Sequence, residues 1–583
     1  MPLRFSPDHR RVDAWDVRKI AVVGPGIVGM PMAAMLAHGR IREGSDEPAR
    51  VTVIQRNSET SGWKVDAINA GRSPIGGVEP DLDRIVAESV AAGVLDASHD
   101  ASAARDADVI LVCTQTDKRG MAPDYGPLTE ALEAIAAQLT QRPAGNVPLV
   151  VFESTLAPSS MATLVRDLFA RHGLVEGRDV LLGNSPNRVM PGRLVERVAS
   201  SDKLVAGLHP ETAGLIARLY GRIVTRGRLH ATNSMTAEVV KTLENAYRDV
   251  RIAYAAEVVR HCDAHDVDFF ALRDRVNARL QQSDTASADP NAVPSGGLLV
   301  PMLGVGGHCL PKDGILLWWR AREAGQACGN SLILASRRIN DEAPGEVLAR
   351  VENLFGPVAG HRVALLGAAY RFDSEDTRNS PTLVFARQLI ERGARVVIHD
   401  PYVHETDQNL RRTGLAANFS RDLDAVLASA EIIVLCTGHK LYRDRRDAML
   451  GAATQAIGVF DACNLWSAPA VQAHGLRYGG IGRGRAAAPQ ALVEAVLDGF
   501  RAVETGVGNE VAALVAFLNA RFATDAFNEV RFADVQRIAA TCVTGCEIAS
   551  PGPVTAAAGA GFASRLAAHA AAATNEAADA PHA

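Results

Sequence analysis

Short apolar runs alternate with amphipathic segments from residue 18 to residue 155. The apolar runs, rich in β-branched residues, are KIAVV at 19–23, RVTVI at 50–54, DVILVC at 108–113 and PLVVFEST at 148–155. Segments with helical periodicity, such as LTEALEAIAAQL, separate these runs. This alternation of strands and helices predicts a doubly wound parallel sheet.

A second alternation of the same kind occupies the later part of the chain. Its apolar runs are RVALLG at 362–367, ARVVIHDPY at 394–402, EIIVLCT at 431–437 and AIGVFDA at 456–462. Between the two alternations, residues 234–266 begin with serine and contain neither glycine nor proline, which predicts one long helix. The predicted fold class is α/β, with two doubly wound parallel-sheet domains joined by a long central helix and followed by a C-terminal helical extension.

These patterns also predict where the domains begin and end. The predicted limits are an N-terminal extension at 1–17, a first sheet domain at 18–205, a central helical domain at 206–345, a second sheet domain at 346–485, a helical extension at 486–550 and a tail at 551–583. The tail is rich in alanine and of low complexity, so we expect it to be disordered. For the helical extension, we expect a role in assembly or in docking a partner.

Composition and charge narrow the class of protein. The 583 residues are 47% hydrophobic and 22% charged, and a net charge of -5 gives no basic surface for nucleic acid or an anionic membrane. The N-terminal residues carry no apolar secretion signal, and no apolar run approaches the ~18 residues of a membrane helix. The eight cysteines lack the spacing of a metal site or a disulfide framework. We therefore expect a cytoplasmic protein without a metal, whose partners are small molecules or other subunits.

The segment GPGIVG at 24–29 follows the first predicted strand and precedes a helix of small residues. In this order, Gly24 allows a tight turn, Gly26 allows a pyrophosphate to approach the backbone, and Gly29 allows close packing of the helix. The segment predicts a Rossmann-like dinucleotide site. At the end of the second strand, Gln55 and Arg56 stand where NAD-binding domains usually carry an acid, and an arginine there can accept a 2′-phosphate, so NADP stays open beside NAD.

Two further places in the sequence are candidates for chemistry. Lys241 and Asn245 are four residues apart on the long helix, so they project from one face and can meet the same ligand oxygen, although a plain solvated face has the same pattern. Cys309 follows Gly304, Gly306 and Gly307, which allow a backbone that exposes the thiol. An exposed thiolate is a strong nucleophile, whereas a buried structural cysteine is the alternative.

Six motifs in order resemble the nucleotide-sugar 6-dehydrogenases, the UDP-glucose and UDP-N-acetylhexosamine dehydrogenase family. The motifs are GPGIVG, ESTLAPSS, SPNRVMPG, KTLENAYRDVRIAYAAE, GVGGHCLPKD and LGAAYRFDSEDTRNSP, and the resemblance covers about residues 18–485. It implies an enzyme that uses NAD to oxidise the C6 alcohol of a UDP-sugar to a carboxylate in two hydride transfers. It also implies that the first sheet domain binds NAD, that the second binds the UDP-sugar, and that the chain is at least a homodimer built on the long helix.

The resemblance assigns roles to residues of this chain. Cys309 would be the nucleophile that captures the intermediate aldehyde, and Lys241 and Asn245 would hold the C6 oxyanion and a water. Asp313 would act through that water as a general base, and Thr155 would help to place it.

The second sheet domain carries two arginines that the resemblance assigns to binding. Arg371 stands where the family usually has a lysine that contacts the nucleotide sugar. Arg378 matches an arginine near the dinucleotide phosphates, where a guanidinium suits bidentate anion binding. The chain departs from the family at Asn187, which replaces a glutamate that assists hydrolysis of the thioester.

The motifs leave the sugar open. The letters GHC around Cys309 and the acid Glu153 favour a UDP-N-acetylhexosamine such as UDP-ManNAc or UDP-GlcNAc, whereas PKD at 311–313 favours UDP-glucose. Two other functions also stay open. One is a two-electron β-hydroxyacid dehydrogenase, whose members lack the cysteine and the second sheet domain. The other is a degenerate scaffold that binds a nucleotide sugar without turning it over, for which Asn187 and the missing ribose acid are the support.

Overall fold

The structure is a computed structural model that describes residues 15–143, 147–189, 191–280, 297–326, 329, 331–542, 545–555 and 558–579. Residues 1–14 of the predicted N-terminal extension and the last four residues of the predicted tail lie outside the described residues. The chain divides into two compact units. The first comprises Met1–Glu244, Ile315–Gln326 and Val511–Glu547, and the second comprises Asn245–Gly314, Ala327–Glu510 and Ile548–Ala583. None of the helices in the described ranges has the length and apolar character that crossing a membrane would require.

The first unit contains an eight-stranded sheet flanked by helices. The strands of this sheet are β1 (Lys19–Val23), β2 (Arg50–Ile54), β3 (Leu95–Ser98), β4 (Val109–Val112), β7 (Leu149–Phe152), β8 (Leu181–Asn184), β9 (Lys203–Gly207) and β10 (Leu229–Asn233). A separate small hairpin consists of β5 (Asp117–Arg119) and β6 (Ala122–Asp124). Its helices are α1 (Gly29–His38), α2 (Trp63–Asn69), α3 (Leu82–Ala91), α4 (Gly126–Leu139), α5 (Arg166–Arg171), α6 (Leu194–Ser200) and α7 (Pro210–Tyr220).

The strand order in this sheet is β10-β9-β8-β7-β4-β1-β2-β3. All neighbouring strands are parallel except β8 and β9. The central strands β4 and β7 are continuous apolar runs with every residue buried, because helices cover both faces of a parallel sheet. The sheet continues past residue 205, the predicted limit of the first domain, since β9 and β10 extend it to Asn233.

The long helix is α8 (Ser234–Ala264), which begins in the first unit and continues into the second. The strands of the second unit are β11 (Arg362–Leu366), β12 (Arg395–His399), β13 (Phe419–Ser420), β14 (Ile432–Leu435), β15 (Gly458–Asp461) and β16 (Arg477–Gly480). The further helices as far as this sheet ends are α9 (Phe269–Leu280), α10 (Leu310–Glu323), α11 (Leu332–Phe355), α12 (Pro381–Glu391), α13 (Gln408–Arg412), α14 (Leu423–Ser429), α15 (Lys440–Asp444), α16 (Arg446–Ala452) and α17 (Ala468–Gln472).

The second sheet is wholly parallel, in the order β13-β12-β11-β14-β15-β16. In both sheets the strand order reverses beside the first strand, between β1 and β4 and between β11 and β14. Ligands of open α/β sheets bind at the carboxyl ends of the strands at such a reversal. The predicted α/β fold class, with two mainly parallel sheets and a long central helix, is confirmed.

The C-terminal region is helical, and it includes part of the predicted disordered tail. Its elements are α18 (Gln490–Phe522), α19 (Phe532–Ala539), the hairpin β17 (Ala558–Gly559) and β18 (Phe562–Ala563), and α20 (Arg565–Asp579). The prediction of a disordered tail is therefore corrected over 558–579. Glu257 of α8 accepts hydrogen bonds from the Ser564 hydroxyl (2.7 Å) and the Leu566 N–H (3.3 Å), and Phe562 and Leu566 are buried. These tertiary contacts order a segment whose composition alone gives little core.

Candidate active site

The glycine turn after β1 has the shape that a dinucleotide site requires. Gly24 has a φ of +96°, and a Cβ on Gly29 would lie 2.1 Å from the Gly24 carbonyl oxygen, so both positions need glycine. A Cβ on Gly26 would meet nothing within 4 Å, so this side of the turn is open. The turn leads into α1 at the reversal between β1 and β4, and the first turn of a helix attracts phosphate. These residues fit a bound dinucleotide.

The carboxyl end of β2 carries the two residues that depart from the usual acid. The Gln55 side chain donates to the Ser61 hydroxyl (2.9 Å) and to the Arg56 carbonyl (3.1 Å), so it is held within the loop. The Arg56 guanidinium lies 2.8 Å from the Glu130 carboxylate, and both side chains are about 70% exposed. An exposed ion pair of this kind contributes little stability, so Arg56 can exchange Glu130 for another anion.

Thr155 lies beyond the carboxyl end of β7, next to the corresponding end of β4. Its carbonyl accepts the Thr116 hydroxyl at 2.8 Å, and the hydroxyl of Ser154 donates to the Thr114 carbonyl at 2.5 Å. These bonds tie together the two loops that leave β4 and β7. The Thr155 side chain is half-buried at this edge of the sheet.

A buried polar cluster adjoins Thr155, and the sequence did not predict that its residues would lie together. Glu153, directly after β7, accepts hydrogen bonds from Lys203 Nζ (2.8 Å) and from the Tyr220 hydroxyl (2.5 Å). Lys203 Nζ also donates to the Ser185 carbonyl at 3.2 Å. Burial, followed by the negative charge of Glu153, raises the pKa of the Tyr220 phenol, which therefore remains a donor. The cluster fixes the ends of the loops that follow β7 and β8.

Asn187 is held inside the loop that follows β8. Its side-chain oxygen accepts the Val189 N–H at 2.7 Å, and its own N–H donates to the Glu153 carbonyl at 3.3 Å. The next residue, Arg188, is buried and forms an ion pair with Glu244 of α8. Arg188 and Glu244 were not among the predicted site residues, because arginine and glutamate are usually surface residues.

Lys241 and Asn245 lie one turn apart on α8, as the spacing predicts, and Lys241 is buried. Asn245 donates from Nδ2 to Asp313 Oδ2 at 2.6 Å. Asp313 lies in the first turn of α10 with no exposed surface, and Lys312 Nζ is 3.2 Å from its other carboxylate oxygen. The second unit therefore brings Asn245 and Asp313 into direct contact, with a lysine beside the carboxylate.

Cys309 is exposed, and it stands immediately before α10. Its carbonyl accepts the N–H groups of Lys312 and Asp313, at 3.1 and 2.9 Å, which begins the helix. The thiol, the buried carboxylate of Asp313 and its partner Asn245 thus belong to one local structure.

Close packing against Tyr370 and a positive φ require glycine at the positions before Cys309. A Cβ on Gly306 would lie 2.4 Å from Tyr370 Cβ, and Gly307 has a φ of +86°. The Gly307 N–H donates to the Arg378 carbonyl at 2.8 Å, and Asn379 donates to the Gly307 carbonyl at 3.0 Å. The cysteine segment is therefore fastened to the loop that carries Arg378.

The guanidinium of Arg378 pairs with Asp376 through two hydrogen bonds of 2.9 and 2.5 Å. Burial alone would lower the pKa of Arg378, but the bonds from Asp376 outweigh it and raise the pKa, so the charge is permanent. Arg371 lies earlier in the same loop, with its guanidinium 5.5 Å from the centroid of the Phe372 ring. Both predicted arginines thus follow β11, at the carboxyl edge of the second sheet.

A second buried network lies at that edge and was also missed. Asp400, directly after β12, accepts the N–H groups of Ala368 (2.8 Å) and Ala369 (2.9 Å) and a bond from His439 Nε2 (3.0 Å). His439 Nδ1 accepts the Asp373 N–H at 2.9 Å. Burial lowers the pKa of His439, but the nearby carboxylates of Asp373 and Asp400 outweigh this effect and raise the pKa. An acid at the end of a second strand was a signal that could have identified Asp400.

The sequence matches three domains of the UDP-glucose/GDP-mannose dehydrogenase family. Residues 18–224 match its NAD binding domain, 235–342 its central domain and 364–468 its UDP binding domain. The chain is 31% identical over 470 residues to the UDP-N-acetyl-D-mannosamine dehydrogenase of Pyrococcus horikoshii, covering 80% of this chain and 99% of that protein. It is 31% identical over 467 residues to the NDP-N-acetyl-D-galactosaminuronic acid dehydrogenase of Ralstonia nicotianae, covering 79% and 98%.

The fold agrees with these matches. The solved structure of the UDP-D-ManNAc dehydrogenase from Pyrococcus horikoshii superposes with a TM-score of 0.66 at 30% identity, covering 80% of this chain and 99% of that one. The chain belongs to the UDP-glucose/GDP-mannose dehydrogenase family. It is an NAD-dependent oxidoreductase that acts on a nucleotide sugar, which confirms the predicted family, enzyme class and cofactor.

Proposed function

We propose that this enzyme oxidises the C6 alcohol of a UDP-N-acetylhexosamine, such as UDP-ManNAc or UDP-GlcNAc, to the uronate through Cys309. The exposed thiol before α10, backed by the Asn245–Asp313 hydrogen bond, is the observation that carries the proposal. Relatives named for N-acetyl sugars support the choice of substrate. UDP-glucose is the second candidate, favoured by the PKD letters that include Lys312 and Asp313.

The proposed reaction removes four electrons in two steps. NAD, when bound at the glycine turn, supplies the hydride acceptor. Loss of a hydride and a proton from the C6 alcohol leaves an aldehyde, and the Cys309 thiolate adds to its carbon to form a thiohemiacetal. Loss of a second hydride from carbon and of the proton from the hydroxyl gives a thioester, and water then releases the carboxylate and restores the thiol. Each sugar therefore reduces two molecules of NAD.

The residues around the thiol have separate roles in this proposal. Lys241 stabilises the developing oxyanion at C6 by its positive charge, and Asn245 donates a hydrogen bond to it or to the water. Asp313 keeps Asn245 oriented and accepts a proton through the water. Thr155 helps to place the water, Arg371 binds the nucleotide sugar and Arg378 binds phosphate.

A panel of nucleotide sugars tests the proposal. UDP-ManNAc, UDP-GlcNAc and UDP-glucose are each incubated with NAD or NADP, and reduced cofactor is measured against sugar consumed. We expect an N-acetyl sugar to have the highest kcat/KM with NAD, at two reduced cofactors per sugar. A higher kcat/KM for UDP-glucose would support the second candidate. One reduced cofactor per sugar would contradict four-electron oxidation.

The predicted homodimer and the cytoplasmic location stay predictions. From Asn245 to Asp263, no residue of α8 is exposed. In the second unit, the Tyr254 hydroxyl donates to the Val496 carbonyl of α18 at 2.6 Å, and the Tyr254 ring makes an edge contact with Phe562. Because the chain's own C-terminal elements cover this part of α8, we propose that a dimer forms on another surface.

A further inference from the structure

The guanidinium of Arg188, in the loop after β8, has all five of its N–H donors bonded. Nε and Nη2 donate to the two carboxylate oxygens of Glu244, at 3.2 and 2.5 Å. Nη1 donates to the Asp202 carbonyl (3.2 Å) and to the Thr541 hydroxyl (3.0 Å), and Nη2 also donates to the Ile538 carbonyl (3.1 Å). Two of the five acceptors belong to the C-terminal extension, beyond the part of the chain that matches the family domains.

Burial makes these two acceptors important. The Arg188 and Glu244 side chains are 4% and 2% exposed. Burial alone would lower the pKa of Arg188, but the charge and hydrogen bonds of Glu244 outweigh it and raise the pKa. A buried ion pair is stable only when its remaining donors are also satisfied, since an unpaired buried N–H keeps its full desolvation penalty.

The extension presents its two acceptors in a favourable orientation. Ile538 is the penultimate residue of α19, so its carbonyl lies at the end of the helix where the dipole is negative and attracts the guanidinium. The Thr541 hydroxyl donates to that same carbonyl at 2.7 Å, which leaves its lone pairs directed to Arg188. Arg188 thus donates to the Thr541 hydroxyl, and both Arg188 and Thr541 donate to the Ile538 carbonyl.

The Arg188–Glu244 pair links the extension to residues of the proposed mechanism. Glu244 lies one turn after Lys241 on α8 and directly precedes Asn245. Arg188 directly follows Asn187, whose N–H bonds to the Glu153 carbonyl and whose side-chain oxygen accepts the Val189 N–H. A shift of the guanidinium would move both the loop and this turn of α8.

A separate contact ties the extension to the start of α8. Asn233 caps α8 by accepting the Thr236 N–H at 2.7 Å through its side-chain oxygen. Its Nδ2 donates to the carbonyls of Phe527 and Glu529, at 2.7 and 2.9 Å. The segment between α18 and α19 therefore holds the first turn of the helix that carries Lys241.

We propose that the C-terminal extension is a working part of the active site, with Thr541 as a positioning residue that orients Arg188 and, through Glu244, the catalytic turn of α8. The extension is then required for the rate of reaction and not only for assembly. The inference rests on the proposed function only in using oxidation of a nucleotide sugar as one of its readouts.

The test compares Thr541→Val, which removes the hydroxyl at nearly constant volume, with Thr541→Ser, which keeps it. Thr524→Val is the matched control, since Thr524 is an exposed threonine of the same extension whose hydroxyl reaches only local partners, Asp525 and Asn528. We expect kcat to fall by about tenfold in Thr541→Val, the size of one lost hydrogen bond to a charged group. The KM for NAD should stay within about twofold, and Thr541→Ser should recover most of kcat.

Hydrogen–deuterium exchange supplies a readout that needs no substrate. The amides of Ser185 and of residues 187–189 should exchange faster in Thr541→Val than in the wild type, and at the wild-type rate in Thr541→Ser and Thr524→Val. If Thr541→Val does not fold, Thr541→Ala is used in its place, because it removes the hydroxyl without adding bulk. Unchanged exchange and unchanged kcat in a folded variant would overturn the inference. Failure of the wild type to oxidise any UDP-sugar would contradict the proposed function alone, because exchange would still decide the role of Thr541.

Discussion

The two mainly parallel sheets have the same strand reversal, but the turn after the first strand of each has a different shape. After β1, the turn is open at Gly26, where a Cβ would meet nothing within 4 Å. After β11, Gly367 has a φ of +107°, and a Cβ there would lie 2.4 Å from Thr437 Cβ. The N–H groups of Ala368 and Ala369, which follow it, are already bonded to the Asp400 carboxylate.

The difference shows how one topology can bind two ligands in different ways. The first turn keeps space for the phosphates of the dinucleotide beside the N-terminus of α1. The second turn has its own carboxylate in the position that an anion would take, so we propose that recognition on that side comes from side chains such as Arg371. The same loop then extends to Arg378 and supports the cysteine segment, which places the thiol with the second sheet and the cofactor with the first.

The largest effect should come from removing the thiol. Cys309→Ala should lower formation of the uronate by at least about a thousandfold, as expected for loss of a nucleophile, while NAD binding is unchanged because the cofactor turn belongs to the first sheet. Product acid is measured by mass spectrometry and NAD binding by calorimetry. Cys463→Ala, at a half-buried cysteine in the loop after β15, is the control and should keep its activity. Uronate formation by Cys309→Ala at the wild-type rate would contradict the proposal that the thiol beside the second sheet performs the chemistry while the first sheet binds the cofactor.

The next largest effect should come from removing the charge of the Asp400 carboxylate, which binds the turn after β11. Asp400→Asn weakens the bonds to the turn and to His439, and we expect the free energy of unfolding to fall by about 3 kcal/mol. Because the folded pKa of His439 is raised above 6.5, its contribution is complete below pH 6.5 and is lost as pH rises through the folded pKa.

Urea unfolding at several pH values measures this contribution. The wild type should lose stability above pH 6.5, and Asp400→Asn should flatten this loss. Equal stability of the two proteins at pH 6 would show that Asp400 is not needed to hold the turn.

A pair of glycine substitutions sharpens the comparison directly. Gly367→Ala should lower the free energy of unfolding by about 2 kcal/mol, because the site combines positive φ with a contact of 2.4 Å. Gly26→Ala should leave the melting temperature unchanged but raise the KM for NAD about tenfold, since the new methyl group occupies the space above the turn. The opposite result, a loss of stability in Gly26→Ala without an effect on NAD, would mean that the first turn is closed as well.

The smallest effect concerns the choice of cofactor. The Arg56–Glu130 pair is exposed and contributes at most about 1 kcal/mol, so a 2′-phosphate can displace Glu130. Arg56→Ala should lower kcat/KM for NADP a few-fold and leave the value for NAD unchanged, whereas Glu130→Ala should raise the value for NADP. Identical ratios of NADP to NAD activity in all three proteins would show that Arg56 does not face the ribose.

Sequence alone predicted eight of the strands, each end within three residues, because the central strands are apolar on both faces and the glycines mark where the turn after β1 must be. It did not predict the shorter or outer strands β3, β8, β9, β10, β13 and β16. It could not predict the pairing of Glu153 with Lys203 or of Asp400 with His439. The partners lie 50 and 39 residues apart, and each residue type is common on protein surfaces. The tail was misjudged for a similar reason, since α20 is ordered by Glu257 of α8 and not by its own composition.

The central claim is that Cys309 carries the sugar carbon as an acyl group, and a rapid-mixing experiment tests it most directly. Asn187 cannot accept a proton as a carboxylate does, and Glu153 is bonded to Lys203 and Tyr220, so among the proposed site residues Asp313 is left to activate the water without a second acid. Hydrolysis of the thioester should therefore be slower than the two hydride transfers. We expect a burst of about two reduced cofactors per active site, slow turnover afterwards, and a sugar acyl adduct on Cys309 in the quenched protein. Asn187→Glu should shrink the burst relative to the steady rate. Linear progress curves without any adduct on Cys309 would contradict this account.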